Sequence, residues 1–303
     1  MGGLADGMPS TEMPSTETDA RAPLDPVARA ERGTVSVVIA AYDEARYIEG
    51  CLRSLADQTV PPHEVIVVDD GSRDATARLV ARHPSVRLIR QPHRGAAVAR
   101  NRGARVATGD ILVFLDGDME LTPQFVERLV APMVERGALG TFTREIKLAN
   151  PERVWARAHV LGRGLSLDAR YRPDVPDRWD VFRAVWRSDF ERVGGFDEVG
   201  HGEDVTLARK LGAMAEVAPG AVCYHYDPDT LGDVYRSARW FGRGERIKEQ
   251  PAPLSRYAPW TSLARALRMA VRHRAPSVFV YRLVWDFGLT MGWLTRHRAS
   301  TAK

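Results

Sequence analysis

From residue 34 to about residue 120, the chain alternates short apolar runs with amphipathic segments. The apolar runs have the length and β-branched content of strands, whereas the segments between them space their apolar residues as helices do. These patterns predict strands at 35–41, 65–68, 86–89 and 111–115, and helices at 44–57, 74–81 and 96–106. Strands that alternate with helices of this length predict a parallel sheet covered by helices on both faces.

The second half of the chain has a less regular pattern. It predicts helices at 151–168 and 203–211, strands at 181–186 and 221–226, a turn at 194–197, and mainly helix beyond residue 233.

The stretch 276–295 approaches the length that spans a bilayer. Arg282 and Asp286 interrupt it at a four-residue spacing that suits an ion pair within one helix. Because two central charges are expensive in lipid, we expect a helix that packs on the rest of the protein or lies on an anionic membrane surface. Arginines at positions 265, 268, 272, 274, 296 and 298 flank this stretch and fit either alternative.

Two carboxylates one residue apart, Asp116 and Asp118, directly follow the strand predicted at 111–115. The carboxyl ends of parallel strands open on one edge of a sheet, where ligands bind, so the acidic turns at 41–44 and 69–72 are expected to meet them there. Carboxylates this close need a cation, a hydrogen-bond donor or a proton to coexist. Mg²⁺ or Mn²⁺ carrying a diphosphate meets that need, and a polar turn that closes the strand is the alternative.

Composition narrows the classes of function. A net charge of +4 over 303 residues does not indicate a nucleic-acid partner. The first strand is not followed by a dinucleotide-binding glycine pattern, and no P-loop occurs, so metal and carboxylates would have to hold any nucleotide. Cys51 and Cys223 show neither metal-ligand spacing nor a disulfide pattern, which favours a reducing cytoplasm. Residues 1–32 lack the features of a signal peptide and are predicted to be a disordered tail.

Six short motifs occur in order between residues 36 and 204, and together they resemble those of the family 2 glycosyltransferases, which are inverting nucleotide-sugar enzymes with the GT-A fold. The motifs are Ser36-Val37-Val38-Ile39-Ala40-Ala41-Tyr42-Asp43-Glu44, Val67-Val68-Asp69-Asp70-Gly71-Ser72 with Asp74 and Thr76, Arg100-Asn101 with Gly103, Asp116-Gly117-Asp118, Gly194-Gly195-Phe196-Asp197-Glu198, and Gly202-Glu203-Asp204. Two positions depart from the family, which usually has Pro where Ala40 stands and Asn where Asp43 stands.

The resemblance implies an α/β fold of the GT-A type, in which helices flank a Rossmann-like, mostly parallel central sheet and a helical C-terminal extension follows. Residues 33–228 would form the catalytic domain, with a nucleotide-binding half at about 33–120 and an acceptor half at about 121–228. Residues 229–303 would form the extension.

Site roles follow from the resemblance position by position. Ala41, Tyr42 and Glu44 would line the nucleotide-sugar pocket. Asp70 would accept hydrogen bonds from the nucleobase or ribose, and a turn or helix cap before Asp74 is the structural alternative.

The resemblance also implies a metal site. Asp116 would contact the ribose or the metal, and Asp118 would bind the divalent metal directly. His225 would be a third metal contact as a neutral imidazole, and a hydrogen-bonded structural histidine is the alternative.

In the acceptor half, Asp204 matches the family's catalytic base, and Glu203 would orient it or bind the acceptor. The alternative is that both residues only cap a helix. The pattern Arg236-x-x-Arg239-Trp240 resembles the Q-x-x-R-W motif of processive polysaccharide synthases, although Arg236 replaces the Gln. Arg239 or Arg243 would then reach the diphosphate, and a surface helix with solvated arginines is equally consistent with the pattern.

Together these features predict a cytoplasmic, metal-dependent inverting glycosyltransferase with peripheral contact at the inner face of the plasma membrane. It would move one sugar from a nucleotide-diphosphate donor to a hydroxyl of a glycan, a lipid-linked sugar or a small molecule. The alternative is a catalytically silent nucleotide-sugar-binding protein, against which the Asp116, Asp118 and Asp204 set argues. Nucleotidyl transfer would need a basic glycine-rich loop near the first strand, and the sequence has none.

Overall fold

The computed structural model of the chain describes residues 33–167, 176–199, 202–243 and 259–300. The tail predicted at 1–32 lies outside these residues. Cys51 and Cys223 are both free and buried, as their sequence context predicts.

All strands and helices predicted between residues 34 and 116 are present. They are β1 (Val35–Ala41), α1 (Ile48–Ala56), β2 (Glu64–Asp69), α2 (Thr76–Val80), β3 (Val86–Arg90), α3 (Ala96–Val106) and β4 (Ile111–Asp116). Helix α1 begins at Ile48 rather than at residue 44, because the chain first makes a turn in which the Glu44 N–H donates to Thr76 Oγ1 over 2.8 Å.

Shorter elements follow. They are β5 (Met119–Leu121), α4 (Phe125–Arg136), β6 (Gly140–Phe142), β7 (Ile146–Leu148), α5 (Val154–Gly162), β8 (Arg178–Trp179), β9 (Ala184–Trp186), α6 (Arg187–Arg192), α7 (Asp204–Leu211), β10 (Ala215–Val217), β11 (Cys223–His225), α8 (Leu231–Gly242), α9 (Pro259–His273) and α10 (Pro276–Ser300).

The central sheet has eight strands in the order β3-β2-β1-β4-β9-β6-β10-β8. Its first four strands are parallel, β9 runs antiparallel to both β4 and β6, and β10 is parallel to β6. The predicted mostly parallel sheet is therefore confirmed, with antiparallel strands added beyond β4.

Strand β4 is buried on both faces, as its uninterrupted apolar sequence predicts. Ile111, Val113 and Leu115 belong to one core, and Leu112 and Phe114 belong to the core on the opposite face. Packing on both faces therefore holds the end of the strand in place, and Asp116 is its last residue.

A second, three-stranded sheet has the order β5-β11-β7. Strand β5 follows Asp118 directly, and β11 pairs antiparallel with it so that His225 lies opposite Met119. This pairing brings a residue from far along the chain to the end of β4.

The C-terminal helices pack on each other and on α5. Val278, Tyr281 and Trp285 of α10 are buried against Val234 and Ala238 of α8. Within α10, Arg282 and Asp286 form the ion pair that their spacing predicts, with a shortest N–O distance of 2.8 Å. In the part of the chain that the structure describes, no helix is both long and apolar enough to cross a membrane.

Helices α8 and α10 approach so closely that glycine is required between them. A Cβ at Gly292 would lie 2.2 Å from the Arg239 carbonyl oxygen, and a Cβ at Gly242 would lie 2.3 Å from that of Leu289. Both neighbours are backbone atoms, so the helices would have to move apart to admit a methyl group.

We expect Gly292→Ala to lower the free energy of unfolding by about 1–3 kcal/mol, because overpacking against backbone outweighs the better helix propensity of alanine. Urea unfolding followed by circular dichroism measures the change. Gly232→Ala in α8 is the matched control, since its nearest neighbours lie at 3.5 Å, an ordinary contact distance. Equal stability of the two variants would contradict the close packing.

Candidate active site

The three acidic turns meet at the carboxyl edge of the central sheet, as predicted. Ala40 lies opposite Asp116 in the parallel pairing of β1 with β4, and the Asp70 N–H donates to the Ala41 carbonyl over 2.8 Å. Asp43 adopts a left-handed conformation with φ 58°, and its N–H donates to Ser72 Oγ over 3.0 Å. A left-handed residue at this position suits Asn or Asp, which accounts for the tolerated departure from the family's Asn.

Asp116 is held by two arginines. Arg100 Nη2 lies 2.7 Å from Oδ1, and Arg183 Nη1 lies 2.9 Å from Oδ2. Burial alone would raise the pKa of Asp116, but the charges of Arg183 and Arg100 hold that pKa well below its usual range. Asp116 therefore stays ionised at the edge of the sheet.

Asp118 and His225 lie beside Asp116. The three side chains offer two carboxylate oxygens and one imidazole nitrogen, all within 4.8 Å of one another. His225 Nε2 is 3.4 Å from Asp118 Oδ1, and His225 Nδ1 is 2.8 Å from the Tyr226 carbonyl. An Nδ1–H that donates to this carbonyl leaves the Nε2 lone pair facing the carboxylates, which is the tautomer that binds a metal.

Glu44 lies over the turn that carries the two aspartates. A Cβ at Gly117 would come within 3.1 Å of the Glu44 side chain, so the turn passes close beneath it. Burial, followed by the charges of Asp118 and Asp116, raises the pKa of Glu44 to about 9. The two aspartates thus add to the effect of burial on Glu44.

Glu203 and Asp204 begin α7. Glu203 is buried, and its Oε1 lies 2.5 Å from Arg100 Nη1, so one guanidinium joins it to Asp116. Burial outweighs this ion pair and raises the pKa of Glu203. Asp204 is half-buried in the first turn of the helix, where its Oδ1 accepts from the Val205 N–H.

Asp70 organises the loop before α3. Its carboxylate accepts from Gln91 Nε2 and from the Arg94 and Gly95 N–H groups over 2.7–2.9 Å. His93 Nδ1 lies 2.9 Å from the same carboxylate, and the His93 ring packs at a tilt against Tyr42 with 4.1 Å between centroids. Asp70 thus anchors the wall beside Tyr42, whereas its contact with a nucleobase or ribose stays a prediction.

Arg239 occupies the seam between α8 and α10, where its backbone contacts Gly288 and Gly292. Its Nε is buried without a hydrogen-bond partner among the described residues. Its contact with a diphosphate stays a prediction.

Neither Arg100 nor Arg183 is among the site residues that the sequence predicts. Arg100 stood inside a recognised motif, which was a usable signal. Arg183 directly precedes β9, and the pairing of β9 with β4 brings its side chain to Asp116. The residues around Arg183 in the sequence do not indicate this contact.

The sequence of this chain is similar to those of known proteins. The profile described as "Glycosyl transferase family 2" matches residues 36–194, which is more than half of the chain. The uncharacterized glycosyltransferase YibD of Escherichia coli is 38% identical over 33% of this chain and 30% of its own length. The pre-mycofactocin glycosyltransferase of Mycobacterium tuberculosis is 31% identical over 73% of this chain and 47% of its own. The chain therefore spans about a third to a half of the length of these curated relatives.

Among solved structures, the mannosyltransferase PcManGT from Pyrobaculum calidifontis, in complex with GDP-Man and Mn²⁺, aligns with a TM-score of 0.55 at 22% identity. The alignment covers 93% of this chain and 91% of the mannosyltransferase chain. At 22% identity, it supports a similar fold and no more. The GT-A-like fold is thereby confirmed. The profile match together with the fold shows that the chain belongs to the family 2 glycosyltransferases.

Proposed function

We propose that this protein is a divalent-metal-dependent, inverting glycosyltransferase that moves one sugar from a nucleotide-diphosphate sugar to an acceptor hydroxyl. The observation that carries the proposal is the cluster of Asp116, Asp118 and His225, which Arg100 joins to the Glu203-Asp204 pair. The cluster supplies a place for a diphosphate, and the pair supplies a carboxylate for the incoming alcohol.

The donor atoms of the cluster fit Mn²⁺, and they fit Mg²⁺ through the two carboxylates. Burial, and then the charges of Asp118 and Asp116, raise the pKa of Glu44, and a cation beside these carboxylates would relieve the part that is due to charge. The mannosyltransferase with the similar fold binds Mn²⁺ together with GDP-Man. When bound, the metal would neutralise the charge that develops on the departing diphosphate.

The chain's own residues would perform the remaining steps. In an inverting transfer, the acceptor hydroxyl attacks the anomeric carbon while a carboxylate takes its proton. We assign that role to Asp204, which lies in the first turn of α7 next to Glu203. Glu203 would fix the start of α7 through Arg100 and orient its neighbour. Tyr42 and Ala41 would line the donor pocket with Glu44, and Arg239 would contact the diphosphate.

The acceptor is proposed only as a hydroxyl compound, which can be a glycan, a lipid-linked sugar or a small molecule. Peripheral contact with an anionic membrane and a cytoplasmic location are separate parts of the proposal, because the chemistry of the cluster requires neither.

We expect Asp204→Asn to lower the turnover number by about 10²–10⁴-fold while binding of the nucleotide sugar survives, because only the proton acceptor is removed. Transfer assays and isothermal titration with donor measure the two effects separately. Asp177→Asn is the control, since Asp177 is exposed and pairs with Arg144. Near-normal turnover of Asp204→Asn would remove Asp204 from this role.

We expect Asp118→Asn to weaken Mn²⁺ binding by about 10-fold or more, because an amide oxygen replaces an anionic ligand. Titration of Mn²⁺ followed by electron paramagnetic resonance measures affinity without any turnover. The same Asp177→Asn variant should bind Mn²⁺ as the unaltered protein does. Unchanged Mn²⁺ affinity in Asp118→Asn would exclude Asp118 as a ligand.

Without divalent cations, the raised pKa of Glu44 means that the folded state holds this proton more tightly than the unfolded state does. Its contribution to stability is therefore complete below a pH of about 4.5 and is lost as the pH rises towards about 9. Glu44→Gln removes this titration. The free energy of unfolding of Glu44→Gln minus that of wild type should therefore rise by about 1 kcal/mol or more between about pH 5 and about pH 8.

Urea unfolding in EDTA at both pH values tests this difference. Glu49→Gln is the control, because Glu49 is a partly exposed carboxyl on the same stretch of chain. A stability difference between Glu44→Gln and wild type that stays constant with pH would contradict the raised pKa.

A further inference from the structure

Helix α9 exposes a continuous apolar stripe. Trp260, Leu263, Leu267 and Val271 recur at helical spacing on one face, and all four are exposed, with Trp260 at 72% and Val271 at 69%. Scattered apolar residues are normal on a surface, but four large ones in a row along one helix are not.

The opposite face of α9 already has its partner. Ala266 is fully buried, and Ser262 Oγ donates to Asp286 Oδ2 of α10 over 2.8 Å. Arg265 lies 3.6 Å from the same carboxylate. Because these contacts fix the rotation of the helix on α10, the apolar stripe points away from the rest of the described protein.

Within 259–275, the ionised side chains beside the stripe are all arginines. Arg268 and Arg272 are exposed and form the adjacent row at a four-residue spacing, and Arg274 is exposed just after the helix. The segment 259–275 contains no aspartate or glutamate. An apolar strip edged only by cations is complementary to an anionic lipid surface, where the side chains enter the boundary of the acyl chains and the guanidinium groups meet the headgroups.

We propose that α9 is a membrane-docking helix that lies in the plane of an anionic lipid surface. Trp260 suits this boundary, because its ring is amphipathic. A second copy of the chain is a poorer occupant, since a symmetric contact along the stripe would set the same arginines against each other. The inference rests on the membrane contact named in the proposed function and assigns it to a surface distinct from the active site.

This assignment differs from one of the two alternatives for the stretch 276–295, namely that this stretch would itself lie on an anionic membrane surface. In α10, Val278, Tyr281 and Trp285 are buried against other helices, so this part of its apolar content is already used in packing. Helix α10 therefore packs on the rest of the protein, which is one of the two alternatives that its sequence leaves open. The exposed apolar face belongs to α9.

Vesicle co-sedimentation tests the docking surface with two lipid compositions, phosphatidylcholine alone and phosphatidylcholine mixed equally with phosphatidylglycerol. We expect binding to the mixed vesicles at low salt and much less at high salt or on the neutral vesicles. Arg268→Gln with Arg272→Gln should lower the partition coefficient by about 30-fold, at the expected contribution of each arginine near such a surface. Leu263→Gln with Leu267→Gln should lower it by about 10-fold or more.

Two matched controls change the same chemistry elsewhere. Arg105→Gln with Arg136→Gln removes two exposed arginines, and Val60→Gln with Met214→Gln removes two exposed apolar side chains. Both double variants should bind the mixed vesicles as wild type does. Transfer to a water-soluble acceptor, measured in parallel without vesicles, should be unchanged in every variant and tests the proposed function independently.

Three outcomes would overturn the proposal. The first is no binding to the mixed vesicles at low salt, and the second is binding that the α9 variants leave unchanged. The third is a dimer, seen by light scattering, that the leucine double variant dissociates, because the stripe would then be an interface between two copies.

Discussion

The ion pairs of Asp116 with Arg100 and Arg183 are the interaction on which the site depends. Strand β4 is buried on both faces and ends in a half-buried carboxylate, which keeps only part of its hydration. Two guanidinium groups supply the missing stabilisation, and Arg100 extends it to Glu203 at the start of α7. One charge network therefore joins the carboxyl edge of the sheet to the segment that carries Asp204. Removing one member would leave an uncompensated buried charge, so the network favours one arrangement of the cleft.

Several motif residues hold the backbone in position and take no part in the chemistry of the site. Asn101 donates from its amide to the Phe196 carbonyl and accepts from the Phe196 N–H, which fastens the Gly-Gly-Phe-Asp turn to α3. Gly195 has φ 69°, and a Cβ there would lie 2.5 Å from Asn101 Oδ1, so both its conformation and its space require glycine. A Cβ at Gly103 would lie 2.4 Å from the Val38 side chain, which keeps α3 close to β1. The recognised pattern thus reports mainly the scaffold that holds the acidic residues in place.

The sequence predicts what is local. The elements up to Asp116 follow from alternating apolar runs, and the meeting of the acidic turns follows from parallel topology. Strands of two or three residues such as β6, β8 and β10 carry too little periodicity to be recognised, and pairing with distant strands defines them. Arg183 reaches Asp116 only through such a pairing. His225 was named from its motif context, yet its place beside Asp118 depends on the register of β11 against β5.

In the C-terminal helices, the buried carboxylate of Asp286 determines which face of α9 is exposed. Asp286 lies in the middle of an apolar helix, where its hydrogen-bond and ionic partners are Arg282 on the same helix and Ser262 with Arg265 on α9. A buried carboxylate needs such partners, so α9 turns its small and polar face inward. The apolar face of α9 is then left outside, although hydropathy alone would have placed it in a core. Hydropathy indicates how much apolar surface a helix has, whereas the polar contacts decide where that surface points.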